Sequence, residues 1–349
     1  AGTRVGYHRY TFPVPQKKAV VFDLGFRMNG DNPVETGIQR IGPATLAGWR
    51  HSKGWAPYQK VFFAAQFSEP IGALRTWCGR DAGEAVTGKA VKAAVTFPTG
   101  SRHLLMRVAI SSVSIDGAVR NLGAEPPVEA FDAVRTAARA AWNRELSKIA
   151  IETPDEDLKK VFYTAMYHSF IAPAAFSDVD GRYKGYKHDV VKAEGFTKLH
   201  ILSLWDTFRA LMPLLTIVNP QVTSDTVQSA LDQYRQTGQL PIWELAGNDT
   251  YCMIGYHSIP VICEAWLKGI GNFDRKLAYE AMLAAANSDL RGLPLYREKG
   301  FIPCDKEKES VSKLVEYCYD DWCIAQIAKE LGRNEDHETF MKRSRNYRN

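Results

Sequence analysis

The chain has 349 residues and a mass of 39.1 kDa, which is long enough for two domains. Hydrophobic residues make up 45% and charged residues 24% of the sequence, a composition that excludes an intrinsically disordered protein. The net charge is +5, the basic residues are scattered, and no apolar run is long enough to cross a bilayer. These features predict no nucleic acid partner and no membrane span.

The first 120 residues predict β-strands, because they contain short β-branched or aromatic runs, several of them alternating, separated by Gly, Pro, Asn and Asp. No helical stretch separates these runs, which favours an antiparallel sandwich over a parallel sheet. We therefore predict a β-sandwich domain over residues 1–122. The predicted strands are YHRYTFPV, KAVVFDLGF, ATLAGWRH, QKVFFAAQFS, KAVKAAVTF and HLLMRVAISSVS.

The sequence becomes helical after this domain. The segment 126–149 is rich in Ala, Arg and Glu and predicts a linker helix, to which we assign residues 123–150. Thr153-Pro154-Asp155-Glu156 has the form of a capping box with proline at the first helical position, so the next helix should begin there. Further helices are predicted at roughly 200–217, 222–236, 252–268, 274–288, 310–331 and 334–347.

The region 151–349 predicts a toroid of paired helices, because helical hairpins follow one another with long aromatic and acidic loops between them. A complete toroid needs about twice as many helices as this region supplies. We therefore expect the first half of an (α/α)6 barrel. We also expect the chain to be part of a larger protein, truncated within the sandwich and within the barrel. The predicted fold class is α+β and multidomain.

The helix predicted at 310–331 is apolar nearly all round, which indicates a buried helix. It nevertheless carries Glu316, Asp320 and Asp321. The first two of these are four residues apart, so their like charges repel. Desolvation and a neighbouring carboxylate both raise the pKa of a carboxyl, which keeps a proton donor at neutral pH. The alternative is an ordinary buried helix whose carboxylates bond to arginine or to backbone N–H groups.

Three segments place a tryptophan beside a carboxylate, each at a helix end or in a loop. A sugar ring stacks on an aromatic face, while its hydroxyls bond to carboxylate and guanidinium groups. Each segment alone also fits a surface ion pair or a structural loop, but together they favour a carbohydrate site. The segments are Trp205-Asp206 with Arg209, Trp243-Glu244, and Asp320-Asp321-Trp322.

Other chemistries have little support in the sequence. His257 lies on a mostly apolar predicted helix, so we interpret it as a core histidine. The six cysteines form no CxxC pair and no zinc spacing, and most are interpreted as buried thiols. No GxSxG motif, no P-loop and no GxGxxG after a strand is present, so serine hydrolase and nucleotide-binding functions are not indicated.

Long motifs resemble one family over essentially the whole chain, the calcium-dependent, inverting, exo-acting α-mannosidases of glycoside hydrolase family 92. The resemblance implies a β-sandwich packed on an (α/α)6 barrel with the active site between them. It also implies Ca²⁺ as cofactor, an α-mannoside glycan as partner and a periplasmic or secreted location, although the chain shows no signal-peptide core. The motifs are SLWDTFRALMPLLT, LPIWELAGNDTYCMIGYHSIPVI, ESVSKLVEYCYDDWCIAQIAK, GYHRYTFPV, GWRHSKGWAPYQKVFFAAQFS and ISSVSIDGA.

The resemblance also assigns roles to single residues. Glu316 matches the family's general acid, and Asp320 and Asp321 are expected to tune it or to bond the substrate. Trp55 is a candidate for the leaving-group side. The residues expected to line the sugar subsite are Trp205, Asp206, Arg209, Trp243 and Glu244.

The implied reaction is hydrolysis of terminal α-linked mannose, with α-1,2 linkages favoured, from mannan or N-glycan chains. Inversion also requires a second carboxylate to activate water. In the family, that base and most calcium ligands come from motifs beyond residue 349, so we expect half of a site and no activity from this chain alone. The alternatives are a non-catalytic carbohydrate-binding protein, or another glycosidase or phosphorylase with the same two-domain plan.

Overall fold

The computed structural model describes residues 1–13, 18–79, 81–83, 85–98 and 102–349. The chain divides into two compact units. The predicted linker helix falls in the first of these units. The first unit comprises Ala1–Lys159, Phe176–Lys184 and Asp189–Ala193, and the second comprises Lys160–Ala175, Gly185–His188 and Glu194–Asn349.

The first unit is built on two antiparallel sheets. Six strands pair in the order β1-β10-β5-β4-β3-β8, and four pair in the order β2-β9-β6-β7. The strands are β1 (Val5–Thr11), β2 (Lys18–Asp23), β3 (Asn32–Gly42), β4 (Thr45–Lys53), β5 (Gln59–Phe67), β6 (Ala73–Trp77), β7 (Asp81–Ala82), β8 (Ala85–Gly88), β9 (Lys92–Phe97) and β10 (His103–Ser111).

The core of this unit follows from alternation along the strands, since successive side chains point to opposite faces of a sheet. Ala93, Val95 and Phe97 of β9 are buried, while the residues between them are partly exposed. They belong to the same buried cluster as Phe63 and Leu104 of the six-stranded sheet. The predicted antiparallel, sheet-rich N-terminal domain is therefore confirmed. The last residue of the first predicted strand, Val14, lies outside the described residues.

The eleven-residue strand β3 was not predicted, because its glycines interrupt the β-branched pattern. Gly37 pairs with Trp49 of β4. A Cβ atom at position 37 would come within 2.3 Å of the indole ring of Trp49. The glycine therefore makes room for the aromatic ring across the strand pair, an effect that a single-strand pattern does not reveal.

Three helices follow the sandwich strands: α1 (Ile115–Gly123), α2 (Phe131–Leu146) and α3 (Glu156–Ser169). The first was missed, because the predicted last strand ran to Ser114. That residue instead caps α1, its hydroxyl accepting a hydrogen bond from the Gly117 N–H at 3.0 Å. The start of α3 also differs from the prediction. Asp155, and not Thr153, accepts the N–H groups of Asp157 and Leu158, both at 2.9 Å.

The remaining elements are short strand pairs and helices, and β12 and β13 lie in the first unit. The short strands are β11 (Ala174–Ala175), β12 (Arg182–Lys184), β13 (Val190–Lys192), β14 (Leu199–His200), β15 (Leu202–Ser203) and β16 (Trp243–Glu244). The helices are α4 (Leu204–Thr207), α5 (Leu211–Val218), α6 (Pro220–Thr237), α7 (Ser258–Leu267), α8 (Arg275–Ala286), α9 (Leu293–Lys299), α10 (Ser310–Glu330) and α11 (Asn334–Arg343).

The second unit packs its helices around one apolar cluster, which includes Leu231, Ile262 and Ile324. The helical region after the sheet domain is confirmed, but two predicted helices start later than expected. The helix predicted at 200–217 is broken into α4 and α5. The helix predicted at 252–268 begins only at Ser258, because left-handed residues such as Met253, with φ of 67°, precede it.

Helix α10 is not apolar and buried all round as predicted. Val311, Val315, Tyr319 and Trp322 form an exposed stripe along one side, at spacings of three and four residues. The other sides are buried, including all three carboxylates. No helix in the described part of the chain is long and apolar enough to cross a bilayer.

Candidate active site

The second unit carries a cavity of about 610 Å³ between α7, α10 and the segment after α4. Its wall contains one carboxyl from α10, that of Glu316, together with aromatic residues of the exposed stripe. The lining residues are Phe208, Arg209, Pro213, Pro260, Cys263, Glu264, Leu267, Lys268, Val315, Glu316, Tyr319, Trp322 and Cys323.

Glu316 is held by partners that come from distant parts of the chain. Its Oε1 accepts hydrogen bonds from the indole N–H of Trp205 at 3.3 Å and from the guanidinium of Arg209. Its Oε2 lies 3.4 Å from Nε2 of His257. We call Glu316, Trp205, Arg209 and His257 the open cluster, because the cavity reaches both Glu316 and Arg209.

Arg209 extends from the wall of the cavity into solvent, and its guanidinium lies 4.3 Å from the ring centroid of Phe208. A planar cation next to an aromatic face offers the donors and the apolar surface that sugars bind. Asp206 is also exposed on α4. The structure thus brings Trp205 and Arg209, predicted from one segment, next to Glu316, predicted from another.

Asp320, one turn after Glu316, is fully buried and faces the protein interior. Its Oδ2 accepts the backbone N–H of Tyr256 at 2.9 Å, and its Oδ1 lies 2.8 Å from Nδ1 of His257. Both carboxylate oxygens are therefore engaged by the loop that leads into α7. Asp320 contacts Glu316 through His257, which lies between them.

Asp321 belongs to a second group, which we call the closed cluster: Asp321, Arg343, Tyr256 and Tyr296. The guanidinium of Arg343 donates to both of its oxygens, at 2.8 and 3.1 Å. The hydroxyls of Tyr256 and Tyr296 donate at 2.7 and 2.9 Å. Burial raises the pKa of Asp321 to about 6, against the opposing charge of Arg343. These contacts tie α10 to α9 and α11.

Trp243 and Glu244 lie on the short strand β16 and are buried, with Glu244 0% exposed. The two oxygens of Glu244 accept the backbone N–H groups of Gly247 at 2.7 Å and Ile201 at 3.1 Å. Burial raises the pKa of Glu244 to about 7, and the charge of Lys198 opposes the shift. In this structure Glu244 holds two loops together, and its role in a sugar subsite remains a prediction.

Trp55 lies in the first unit, between β4 and β5, and its side chain is exposed. Its predicted place on the leaving-group side of a site stays a prediction.

The sequence predicted His257 as a core histidine and did not assign it to the site. It is buried, as expected of a core histidine, but it lies between Asp320 and Glu316. The contact with Asp320 joins residues 63 positions apart. No local spacing rule reports a contact of that range.

The calcium ion implied by the resemblance requires several oxygen ligands. Among the residues that the structure describes, no group of three or more His, Cys, Asp or Glu side chains is arranged to hold a metal ion. That most ligands lie beyond residue 349 remains a prediction.

Models of one protein family match both parts of the chain. The glycosyl hydrolase family 92 N-terminal domain matches residues 1–111. The glycosyl hydrolase family 92 catalytic domain matches residues 117–349.

Solved structures with high similarity come from the same family. A family GH92 α-mannosidase from Bacteroides thetaiotaomicron is 38% identical, with a TM-score of 0.93, and the match covers 100% of this chain and 48% of that one. It has also been solved in complex with mannoimidazole. A family GH92 inverting mannosidase from Bacteroides thetaiotaomicron VPI-5482 is 28% identical, with a TM-score of 0.87 over 99% of this chain and 48% of that one.

A curated relative, described as an uncharacterized secreted glycosidase, comes from Arthroderma benhamiae. It is 26% identical over 271 residues, which are 72% of this chain and 30% of that protein. The matched regions thus span about half the length of the two solved relatives and less than a third of the curated one.

Proposed function

The chain belongs to glycosyl hydrolase family 92, and on that premise we propose that the protein containing it hydrolyses terminal α-linked mannose with inversion. The substrates are mannan or N-glycan chains, with α-1,2 linkages preferred, and the protein acts in the periplasm or outside the cell. Glu316 is the general acid, and calcium is required by the complete site. The observation that carries the proposal is the position of Glu316 on the wall of a cavity, beside Trp205 and Arg209.

Each of these residues has a distinct task in the proposed reaction. Glu316 gives its carboxyl proton to the glycosidic oxygen while the bond between that oxygen and C1 breaks. Arg209, exposed at the cavity, binds sugar hydroxyls through its planar donors. Trp205 holds the Glu316 carboxyl through its indole N–H. Asp206, which is exposed on α4, accepts hydrogen bonds from sugar hydroxyls.

Inversion is completed by water, which attacks C1 from the opposite face and yields β-mannose. The proton of that water passes to a second carboxylate, about 6.5–9.5 Å from the acid. The family resemblance predicts that base beyond residue 349. We therefore expect the 349-residue chain to bind mannosides but to release no mannose by itself.

The test measures mannose release from α-1,2-mannobiose, with calcium and with a chelator, by the protein as its gene encodes it. Glu316→Gln should lower kcat on this substrate by about 10²- to 10⁴-fold, the usual contribution of a general acid. The loss should be much smaller on 2,4-dinitrophenyl α-mannoside, because its leaving group needs no proton. Proton NMR of the first product should show the β anomer.

Glu298→Gln is the matched control, because it removes the same charge from an exposed side chain on α9, beside Lys299. It should leave both activities unchanged. Equal losses on both substrates in Glu316→Gln would contradict the acid role. Mannoside binding without any release by the complete protein would instead favour the carbohydrate-binding alternative. Release that needs inorganic phosphate would favour a phosphorylase.

A further inference from the structure

His257 occupies a buried position that bridges two turns of α10. Its ring is 1% exposed. Nδ1 lies 2.8 Å from Oδ1 of Asp320, and Nε2 lies 3.4 Å from Oε2 of Glu316. Nε2 is buried and makes no hydrogen bond that satisfies normal geometry. One ring nitrogen is therefore fixed by a buried carboxylate, while the other faces the residue proposed as the acid.

The residues packed around His257 restrict the orientation of its ring. The ring of Phe208 stacks on it, with centroids 4.0 Å apart and planes 17° from parallel. Gly255 has φ of +78°, and a Cβ atom there would lie 2.2 Å from Nε2. Asp320 is itself fixed by the backbone N–H of Tyr256. These contacts therefore fix the orientation of the imidazole, and a ligand in the cavity is not needed to hold it.

The chemistry of the partners sets the protonation of the ring. An ionised carboxylate only accepts hydrogen bonds, so Asp320 places the proton of neutral His257 on Nδ1 and leaves Nε2 as an acceptor. The partners of Glu316 Oε1, Trp205 and Arg209, are donors only. A proton on the Glu316 carboxyl therefore belongs on Oε2, the oxygen that faces Nε2.

We propose that His257, held by Asp320, is a positioning residue: it orients the Glu316 carboxyl when the 3.4 Å contact between Nε2 and Oε2 shortens to a hydrogen bond that carries one proton. In one form Oε2 carries the proton and Nε2 accepts, and in the other Nε2 carries it and Oε2 is a carboxylate oxygen. The number of protons and the total charge are the same in both forms. This inference rests on the proposed function of Glu316. It adds a residue that the chain's motifs do not assign.

Two substitutions at position 257 separate the two contacts in the complete protein. The amide of His257→Asn reaches the place of Nδ1 and keeps the contact with Asp320, but it loses the contact with Glu316. The amide of His257→Gln reaches the place of Nε2 and keeps the contact with Glu316. We expect His257→Asn to lower kcat on α-1,2-mannobiose by up to about 100-fold, the effect of a misplaced catalytic group, with little change in KM.

The same variant should lose less than about 3-fold on 2,4-dinitrophenyl α-mannoside, since that substrate needs little proton donation. His257→Gln should recover part of the loss on mannobiose. His337→Asn is the control, because His337 lies on α11 and bonds to the backbone oxygen of Ala325. Equal losses on both substrates in His257→Asn, or no loss on either, would overturn the proposal. A selective loss in Glu316→Gln beside such a result would leave the acid role intact.

A spectroscopic measurement on the 349-residue chain covers the case in which position 257 does not tolerate substitution. ¹⁵N-labelled histidine spectra should show the proton of His257 on Nδ1 at neutral pH. Glu316→Gln should shift the Nε2 resonance of His257 and leave the histidines outside the open cluster unchanged. An Nε2 resonance that is identical in the two proteins would show that the ring does not sense Glu316, and it would overturn the proposal.

Discussion

Two clusters on α10 contain the same kinds of groups but differ in their access to solvent. In the closed cluster, the side chain of Asp321 is 0% exposed and that of its partner Arg343 is 11% exposed. In the open cluster, the side chain of Glu316 is 10% exposed and that of Arg209 is 55% exposed. Both carboxylates accept hydrogen bonds from a guanidinium and from aromatic side chains.

The difference shows which property separates a structural carboxylate from a candidate catalytic one. Burial alone does not, because both are buried. The closed cluster has its acceptors filled by fixed donors, which is how buried charge is retained in a stable core. The open cluster borders a cavity, and the side chain of Arg209 is exposed there. The donors of its guanidinium are therefore accessible to a ligand.

The largest expected effect is a loss of stability, measured by replacing Arg343 of the closed cluster and Arg209 of the open cluster in turn. Arg343→Met leaves the buried Asp321 without its cation, so we expect the free energy of unfolding to fall by about 3–5 kcal/mol. Arg209→Met removes the same charge from a solvent-screened pair and should cost less than about 1 kcal/mol. Urea unfolding of both variants at neutral pH measures the two values.

Equal losses in the two arginine variants would remove the distinction between the clusters. Arg209→Met should instead weaken mannoside binding, which isothermal titration of the complete protein with α-1,2-mannobiose would report. Arg343→Met, where it remains folded, should bind normally.

The sequence predicted the features of the molecule that depend on local patterns. Helix α10 was predicted within one residue of its observed ends, because an apolar and charged pattern of that length is a local property. Glu316 was selected from its spacing to Asp320 on the same helix. Helix α1 was missed, because its pattern follows a strand without a break and its cap depends on Ser114 alone.

The contacts that complete the site lie beyond local patterns. The Arg209–Glu316 contact spans 107 residues and the Tyr256–Asp321 contact spans 65, so tertiary packing decides them. Even the fully local evidence at Trp243-Glu244 left two outcomes open, a ligand position or a structural brace. The structure has Glu244 bonded to two backbone N–H groups. Burial and hydrogen-bond partners, which the sequence does not contain, show that Glu244 holds two loops together, while a sugar contact at this position stays a prediction.

Glu244 is a second fully buried carboxylate, and it accepts hydrogen bonds from two backbone N–H groups. Its titration should make the free energy of unfolding depend on pH. Its folded-state pKa of about 7 lies above the ordinary value of 4.5, so the folded protein favours the protonated form. The contribution of Glu244 to stability is therefore fully present below about pH 4.5 and is lost as the pH rises to about 7. The loss is about 3 kcal/mol.

Glu244→Gln removes this titration, because an amide stays neutral at every pH. Its nitrogen faces one of the two backbone N–H groups, which adds a cost that does not vary with pH. Urea unfolding between pH 4 and pH 8 should therefore show a smaller decline for the variant than for the unchanged protein. Parallel curves would contradict this prediction. Glu244 would then be ionised over the whole pH range, with its charge stabilised by the two backbone N–H groups.

The smallest expected effect on stability concerns Asp155, a carboxylate that is exposed to solvent and belongs to neither cluster. Asp155→Ala removes the acceptor for the first N–H groups of α3 and should cost about 1 kcal/mol. Thr153→Ala removes only a 3.2 Å bond to the Asp155 N–H and should cost less. The capping box predicted from the sequence requires the opposite order. The urea midpoints of the two variants decide between them, and a larger loss for Thr153→Ala would move the start of the helix two residues back.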